Sequence, residues 1–351
     1  MRSLPDWAVF AGAFGVAFAV SWLVTPLAER LGRRLGIVDV PGGRRRHQGP
    51  VPRLGGVAIF AGFMAGVLAT LFYPRTPADA YRLTGLLLGC GVVFAGGLID
   101  DRRQLPALPQ MVILVVGALV AIRYWVFIER VNNPFTDQQV VFPLGVTIVL
   151  TLLWMGGITT AVAWLDGLDG LATGVSAIAV LVFSVHMLRT GQASVALLPL
   201  ALLGATLGFL PRNLPPARIF IGSSGSYFLG FAVGALAIVG GARAATALLV
   251  MGVPLVDVFW QVVDRIRHGR SPVVGDRGHL HFRLVDMGVP QGRIVLLYYG
   301  ISAVLGAIAL VMPSRWFKFL ALMTLGVVVA GLLGVLTWLG ERRGQPGPED
   351  H

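Results

Sequence analysis

Runs of about twenty apolar residues recur along the whole chain, and no other feature limits its fold as strongly. Wound as a helix, a run of that length matches the roughly 30 Å hydrocarbon layer of a bilayer. Within hydrocarbon a helix satisfies its own backbone polar groups. A β-barrel would instead alternate in short segments of about ten residues. The runs fall at roughly 7–28, 54–73, 83–99, 110–127, 143–164, 170–188, 192–210, 225–241, 244–262, 293–312 and 316–339. They predict an all-α polytopic membrane protein with about eleven transmembrane helices, read as one integral membrane domain over 1–351. The composition agrees, with 56% hydrophobic and 13% charged residues against about 25% charged in soluble domains. The first run is too long for a signal peptide and has no cleavage site, so it reads as a first span. The single cysteine, Cys90, lies in an apolar run, so no internal disulfide is expected.

The net charge of +11 comes almost wholly from arginine, with Lys318 the one lysine. A basic excess in a membrane chain marks the loops held in the cytoplasm. The loop 29–53 carries Arg30, Arg33, Arg34, Arg44, Arg45, Arg46 and Arg53. The loop 263–292 carries Arg265, Arg267, Arg270, Arg277 and Arg283, and the tail carries Arg342 and Arg343. With eleven spans all three lie on one side, which predicts an outside N-terminus and a cytoplasmic C-terminus. The other expected cytoplasmic loops are 100–109, 165–170 and 211–224, and segment 129–142 reads as a small hairpin on the opposite side. Nucleic acid does not fit the basic loops as a partner, because no aromatic stacking surface accompanies the charge.

The polar groups that break the apolar pattern all fall on that one rim. They are Asp39, Arg44, His47 and Arg53 in DVPGGRRRHQGPVPRLGG, Asp100 and Asp101 in GGLIDDRR, Asp166 and Asp169 in LDGLDGLA, Gly222, Ser223 and Ser226 in IGSSGS, and Arg277, His279 and His281 in DRGHLHFR. Carboxylates at a membrane boundary are costly unless hydrated or paired, so they are functional candidates. Two adjacent aspartates are easiest to keep ionised beside a cation, and hard oxygen ligands suit Mg²⁺ bridging to phosphates. Asp166 and Asp169 stand three apart, which on a helix start puts both on one face at the positive end of its dipole. The bland reading makes each pair a hydrated loop end, and four aspartates on one rim weigh against it. His279 and His281 point the same way if the loop is extended. Zinc would need three or four ligands, so contact with a phosphate or nucleotide fits the pair better. The Gly/Ser knot is either a breaker between spans or, ahead of the eighth span, a phosphate cradle of free N–H groups.

In this order and on one side, these motifs resemble the polyprenyl-phosphate N-acetylhexosamine-1-phosphate transferases, the superfamily of the lipid-I-forming translocase, over about residues 39–288. The HLH form resembles the branch that uses UDP-N-acetylglucosamine. The resemblance implies transfer of a sugar 1-phosphate from a UDP-sugar to undecaprenyl phosphate, with release of UMP, at the cytoplasmic face of a bacterial inner membrane. It implies Mg²⁺, or Mn²⁺ in its place, held with the help of Asp100 and Asp101, and a catalytic set of Asp100, Asp101, Asp166 and Asp169. Arg44, His47, Arg53, Gly222, Ser223, Ser226, Arg277, His279 and His281 would bind substrate; Pro254 and Asp257 also match the family's pattern. A homodimer is a further expectation from relatives.

The chain departs from that pattern at three places. Thr160 and Ala163 stand where the family has asparagines, and Ser223 stands where it has a metal-binding aspartate. The alternative reading is therefore a family member that binds prenyl phosphate or nucleotide without turnover. A transporter would show repeated halves and polar groups near the membrane midplane, and neither pattern is visible here.

Overall fold

A computed structural model describes residues 5–39, 49–133, 136, 138–241, 244–269, 278–312 and 314–342. The fold is all-α. Among the described residues there are thirteen helices and two small hairpins. Eight helices are long and apolar enough to cross a membrane. They are α1 (Asp6–Leu35), α3 (Pro77–Arg103), α5 (Leu144–Leu165), α6 (Leu171–Arg189), α7 (Ala193–Asn213), α8 (Gly222–Val239), α12 (Gln291–Val311) and α13 (Arg315–Arg342). Two shorter apolar helices, α2 (Gly55–Leu68) and α4 (Ala107–Arg123), follow the second and fourth expected spans. The expected span at 244–262 is broken at Met251 into α9 (Ala244–Val250) and α10 (Gly252–Arg267). A last short helix, α11 (Leu280–Asp286), lies in the expected loop 263–292.

Local sequence sets the helix ends. Thr76 starts α3 by accepting the Asp79 N–H at 3.1 Å, with Pro77 in the first turn, a cap that satisfies an orphan donor. Gly36 ends α1 in the left-handed conformation, as glycine does at helix ends. Arg33 and Arg34 close α1, and Arg102 and Arg103 close α3. Basic residues there oppose the negative end of the helix dipole.

The most buried of the candidate spans is α8, surrounded by α2, α3, α5, α6 and α7. It reads as apolar on every face because every face is covered. Neighbouring helices reach it through small residues. A Cβ on Gly97 of α3 would sit 2.5 Å from the Ser224 Cα, and one on Gly89 would meet the Phe231 ring. A Cβ on Gly230 would sit 2.5 Å from the Thr159 Cα of α5. Such contacts let backbones approach closely. They also fix direction, because the C-terminal ends of α3 and α5 both arrive at the N-terminal end of α8. The Phe60 ring stacks on Phe94 at 4.0 Å and takes Phe228 edge-on at 5.2 Å, tying α2, α3 and α8 together. Outward faces are apolar as well: Trp7, Leu144, Leu153 and Val327 are exposed, which suits lipid and not water.

One hairpin, β1 (Val38–Asp39) against β2 (Val51–Pro52), closes the loop after α1. The other, β3 (Arg130–Asn132) against β4 (Gln139–Val141), is the small hairpin expected in segment 129–142. Three local expectations are corrected. The eighth span starts at Gly222 and not at 225, so the Gly/Ser knot itself forms the first turn of α8. Asp166 and Asp169 are not on a helix start but in the turn between α5 and α6. The HLH segment is not extended throughout: His279 is extended as the N-cap residue of α11, but His281 already lies within the helix.

Gly97→Ala should lower stability by about 1–3 kcal/mol through overpacking. A fall in melting temperature of the detergent-purified chain measures it, and an unchanged melt would refute the close approach of α3 to α8.

Candidate functional site

The site begins at the first turn of α8. The Asp101 carboxylate accepts the Ser223 N–H at 2.7 Å and the Ser224 N–H at 3.0 Å. These are two of the orphan donors that every helix start leaves, and a carboxylate there also meets the positive end of the dipole. The Arg53 guanidinium stands 3.9 Å from the same carboxylate. Asp101 is buried, so its charge is balanced by a helix start and one arginine.

This junction requires Gly222. Its φ is +70°, and a Cβ there would lie 2.1 Å from the Arg53 carbonyl oxygen and 2.7 Å from Asp101 Oδ1. Any side chain would push α8 off both. The start of α2 lies alongside. The N–H groups of Gly55 and Gly56 donate to the Phe220 and Ile221 carbonyls, each at 2.9 Å, and the Phe220 N–H donates to the Pro52 carbonyl at 2.8 Å. The glycines of both motifs thus bring backbone onto backbone.

Asp100 faces another way. Its Oδ1 accepts the Leu105 N–H at 2.7 Å and the Gln110 amide at 3.3 Å, and its Oδ2 accepts the Tyr227 hydroxyl at 3.2 Å. Tyr227 stands one helical turn beyond Ser223, and its phenol lies beside the Ser223 hydroxyl. One polar cluster therefore joins α3, α4 and α8.

The second cluster lies where α5, α10 and α11 meet. His279 Nδ1 is 2.9 Å from Asp257 Oδ2, and the Leu280 N–H donates to Asp257 Oδ1 at 3.0 Å. His279 and Asp257 are both buried. The His281 ring lies nearly parallel to His279, at 5.5 Å and 14°. Trp164, near the end of α5, meets His279 edge-on at 4.9 Å and carries the Arg265 guanidinium over its ring at 5.0 Å. Gln261 donates to the Gly278 carbonyl, and Arg283 Nε donates to the same oxygen at 2.6 Å. A Cβ on Gly167 would sit 2.9 Å from His281 Nε2, so the DGLDG turn and the HLH segment pack together. In that turn Asp169 accepts the Ala217 N–H at 2.9 Å. Asp166 is half-buried at the end of α5.

The structure thus brings together Asp100, Asp101, Arg53, Gly222 and Ser223 in one cluster, and His279 and His281 in another beside the turn holding Asp166 and Asp169. Ser226 is buried, and its hydroxyl lies 3.5 Å from the Ser223 carbonyl of its own helix. Arg44, His47 and Arg277 lie outside the described residues. Among the described residues no group of three His, Cys, Asp or Glu side chains converges as a metal cage. Tyr227, Gln110, Trp164 and Gln261 are not among the expected site residues, and Arg265, expected as a basic residue of the loop 263–292, is instead buried in the last turn of α10. One signal for the last two was present: Asp257, Gln261 and Arg265 repeat every four residues, and all three are buried on one face of α10.

Fold and site define a polytopic helical membrane protein whose buried carboxylates and histidines gather at one end of the bundle. Residues 83–241 match the family described as Glycosyl transferase family 4. The chain is 33% identical over 322 residues to the probable undecaprenyl-phosphate N-acetylglucosaminyl 1-phosphate transferase of Bacillus subtilis, covering 89% of this chain and 88% of that one. It is 35% identical over 350 residues to the decaprenyl-phosphate N-acetylglucosaminephosphotransferase of Mycolicibacterium smegmatis, covering 90% of this chain and 85% of that one. It is 28% identical over 291 residues to an undecaprenyl-phosphate alpha-N-acetylglucosaminyl 1-phosphate transferase of Yersinia pestis, covering 79% and 77%. The chain belongs to glycosyl transferase family 4.

Asp101→Asn leaves one acceptor oxygen for two buried N–H donors. It should lower stability by about 1–3 kcal/mol, read as a lower melting temperature. A melt equal to wild type would show that the carboxylate does not hold the start of α8.

Proposed function

We propose that the chain transfers N-acetylglucosamine 1-phosphate from UDP-N-acetylglucosamine to a polyprenyl phosphate, undecaprenyl or decaprenyl, and releases UMP. A lipid phosphate oxygen attacks the sugar-bearing phosphorus. A new P–O bond forms to the lipid, the P–O bond to UMP breaks, and UMP leaves with the bridging oxygen. The observation that carries this reading is the gathering of Asp100, Asp101, the start of α8 and the HLH segment at one end of the bundle, in a chain about one-third identical to named transferases over most of its length.

We read eleven crossings, with α9 and α10 sharing one, and place the site end in the cytoplasm of a bacterial inner membrane. Arginines support that side: Arg33, Arg34, Arg102, Arg103, Arg265 and Arg267 close helices at the site end. The opposite end has Arg123 and Arg189 in that role.

The residues fit Mg²⁺ in a restricted form. An ionised carboxylate offers about four lone-pair sites; Asp100 spends three on hydrogen bonds and Asp101 two. That leaves sites for an ion that takes its other ligands from water and substrate phosphates, as Mg²⁺ prefers. Asp100 and Asp101 would hold it, and its charge would neutralise the diphosphate. Arg53, beside Asp101, offers a positive partner to an acceptor phosphate at the same place. The turn of Asp166 and Asp169 and the histidines of α11 would receive the nucleotide sugar.

A second reading, binding without turnover, has one observation in its favour. Ser223 removes a third carboxylate, and the N–H groups it leaves at the helix start are already taken by Asp101. A transfer assay with undecaprenyl phosphate, a panel of UDP-sugars and Mg²⁺, read by mass spectrometry, separates the two. Transfer from UDP-N-acetylglucosamine is expected, and Asp100→Asn should slow it at least about 100-fold. Unchanged transfer by that variant would overturn the site assignment. Ligand binding with no transfer from any donor would establish the second reading.

Ser223→Asp adds a carboxylate beside Tyr227 and the two aspartates, and like charges so close demand a cation. This variant should melt below wild type in EDTA and gain more from added Mg²⁺. Equal melts in both conditions would show that position 223 does not face the carboxylates.

A further inference from the structure

The buried polar stripe of α10 has no part in the chemistry proposed above. Asp257, Gln261 and Arg265 occupy successive turns of one face, with exposures of 3%, 1% and 1%. Buried polar groups are costly unless they are bonded, and the first two of these bond to one short segment. Asp257 takes His279 and the Leu280 N–H, Gln261 takes the Gly278 carbonyl, and Arg265 lies over Trp164, the ring that meets His279 edge-on. The start of α11 is therefore clasped from α10, with Trp164 of α5 as the third wall.

We propose that Asp257 is a positioning residue for His279. With one oxygen on the Leu280 N–H and the other on His279 Nδ1, the carboxylate fixes both the backbone and the ring. It selects the Nδ1–H tautomer, which leaves Nε2 as the one ring atom that can meet a ligand. A carboxylate behind an imidazole sets tautomer and orientation in this way in other sites. The ligand class is a nucleoside phosphate. This rests on the reading of His279 as a group that meets the sugar nucleotide. Other charged or titratable groups face the pair: Arg265 from α10, His281 and Arg283 from α11, and Tyr298 from α12.

Asp257→Asn is nearly isosteric but cannot serve both donors. Its oxygen keeps the Leu280 N–H, and its amide then donates to Nδ1 and forces the Nε2–H tautomer. The test uses the full chain in detergent. The side-chain nitrogen spectrum of ¹⁵N-histidine-labelled wild type, with the His279→Gln spectrum to assign the signal, should show Nδ1–H at His279. In Asp257→Asn it should show Nε2–H. UMP binding by calorimetry should weaken about tenfold in Asp257→Asn, and the loss should vanish in a His279→Gln background. An Nε2–H tautomer in wild type overturns the proposal even if the variant fails to fold. So does an equal loss of binding with and without His279, which would mark Asp257 as merely structural. A wild type that shows the Nδ1–H tautomer and binds UMP but transfers nothing would overturn the transfer reading and leave this one standing.

Discussion

The bond between the Asp101 carboxylate and the first turn of α8 holds the site together. α8 is the most buried of the candidate spans, and its start would otherwise leave unpaired N–H groups at the edge of hydrocarbon. A carboxylate from α3 satisfies two of them and supplies the charge that the helix dipole favours. Arg53 balances that charge from the segment leading into α2. Three helices are thereby fixed at one point, and the glycine contacts of Gly97 and Gly222 make the approach close enough for the bonds to form. Asp100, one residue earlier, is turned by the helix toward Tyr227 and Gln110. Adjacent aspartates thus serve different partners, so their equivalence in sequence hides a division of labour.

Much of the helical layout was legible because bilayer thickness and backbone satisfaction leave few alternatives. Apolar runs located the helices, and arginine placement gathered their ends into two sets. Hydropathy misses what tertiary contact decides. It ran one span through Met251, where the chain breaks into α9 and α10. It also began the eighth span at 225 and not at Gly222, because Gly and Ser are poor helix formers. The turn persists because Asp101 caps it. The same limit applies to the site. Asp100, Asp101, His279 and His281 stood out as polar groups among apolar ones, and all lie buried at the same end. Tyr227 and Trp164 look like ordinary aromatic residues of a span until their partners are known. The α10 stripe was readable in principle from its four-residue spacing, but an amphipathic helix near a membrane surface usually turns such a stripe to water. Here it turns inward.

The two clusters are built on different principles. Around Asp101 the donors are mostly backbone N–H groups, fixed in place by helix geometry, and side-chain substitutions change their charge balance more than their positions. Around His279 the partners are side chains from three helices, so geometry depends on packing among Trp164, Arg265 and Phe282. The helix dipole and Arg53 make the first suited to a fixed anion. The second, with two rings in near-parallel array and a buried carboxylate behind His279, holds its side chains in one orientation.

The length of α4 has a further consequence. Its seventeen residues rise about 26 Å as a helix, short of a hydrocarbon layer of roughly 30 Å. Few of its residues are buried, so most of its length meets lipid directly. A short lipid-facing helix is matched by local thinning of the membrane, at a fraction of a kcal/mol for each ångström. Gln110, in the first turn of α4, touches Asp100. A bilayer thinned to match α4 would therefore be thinned beside Asp100.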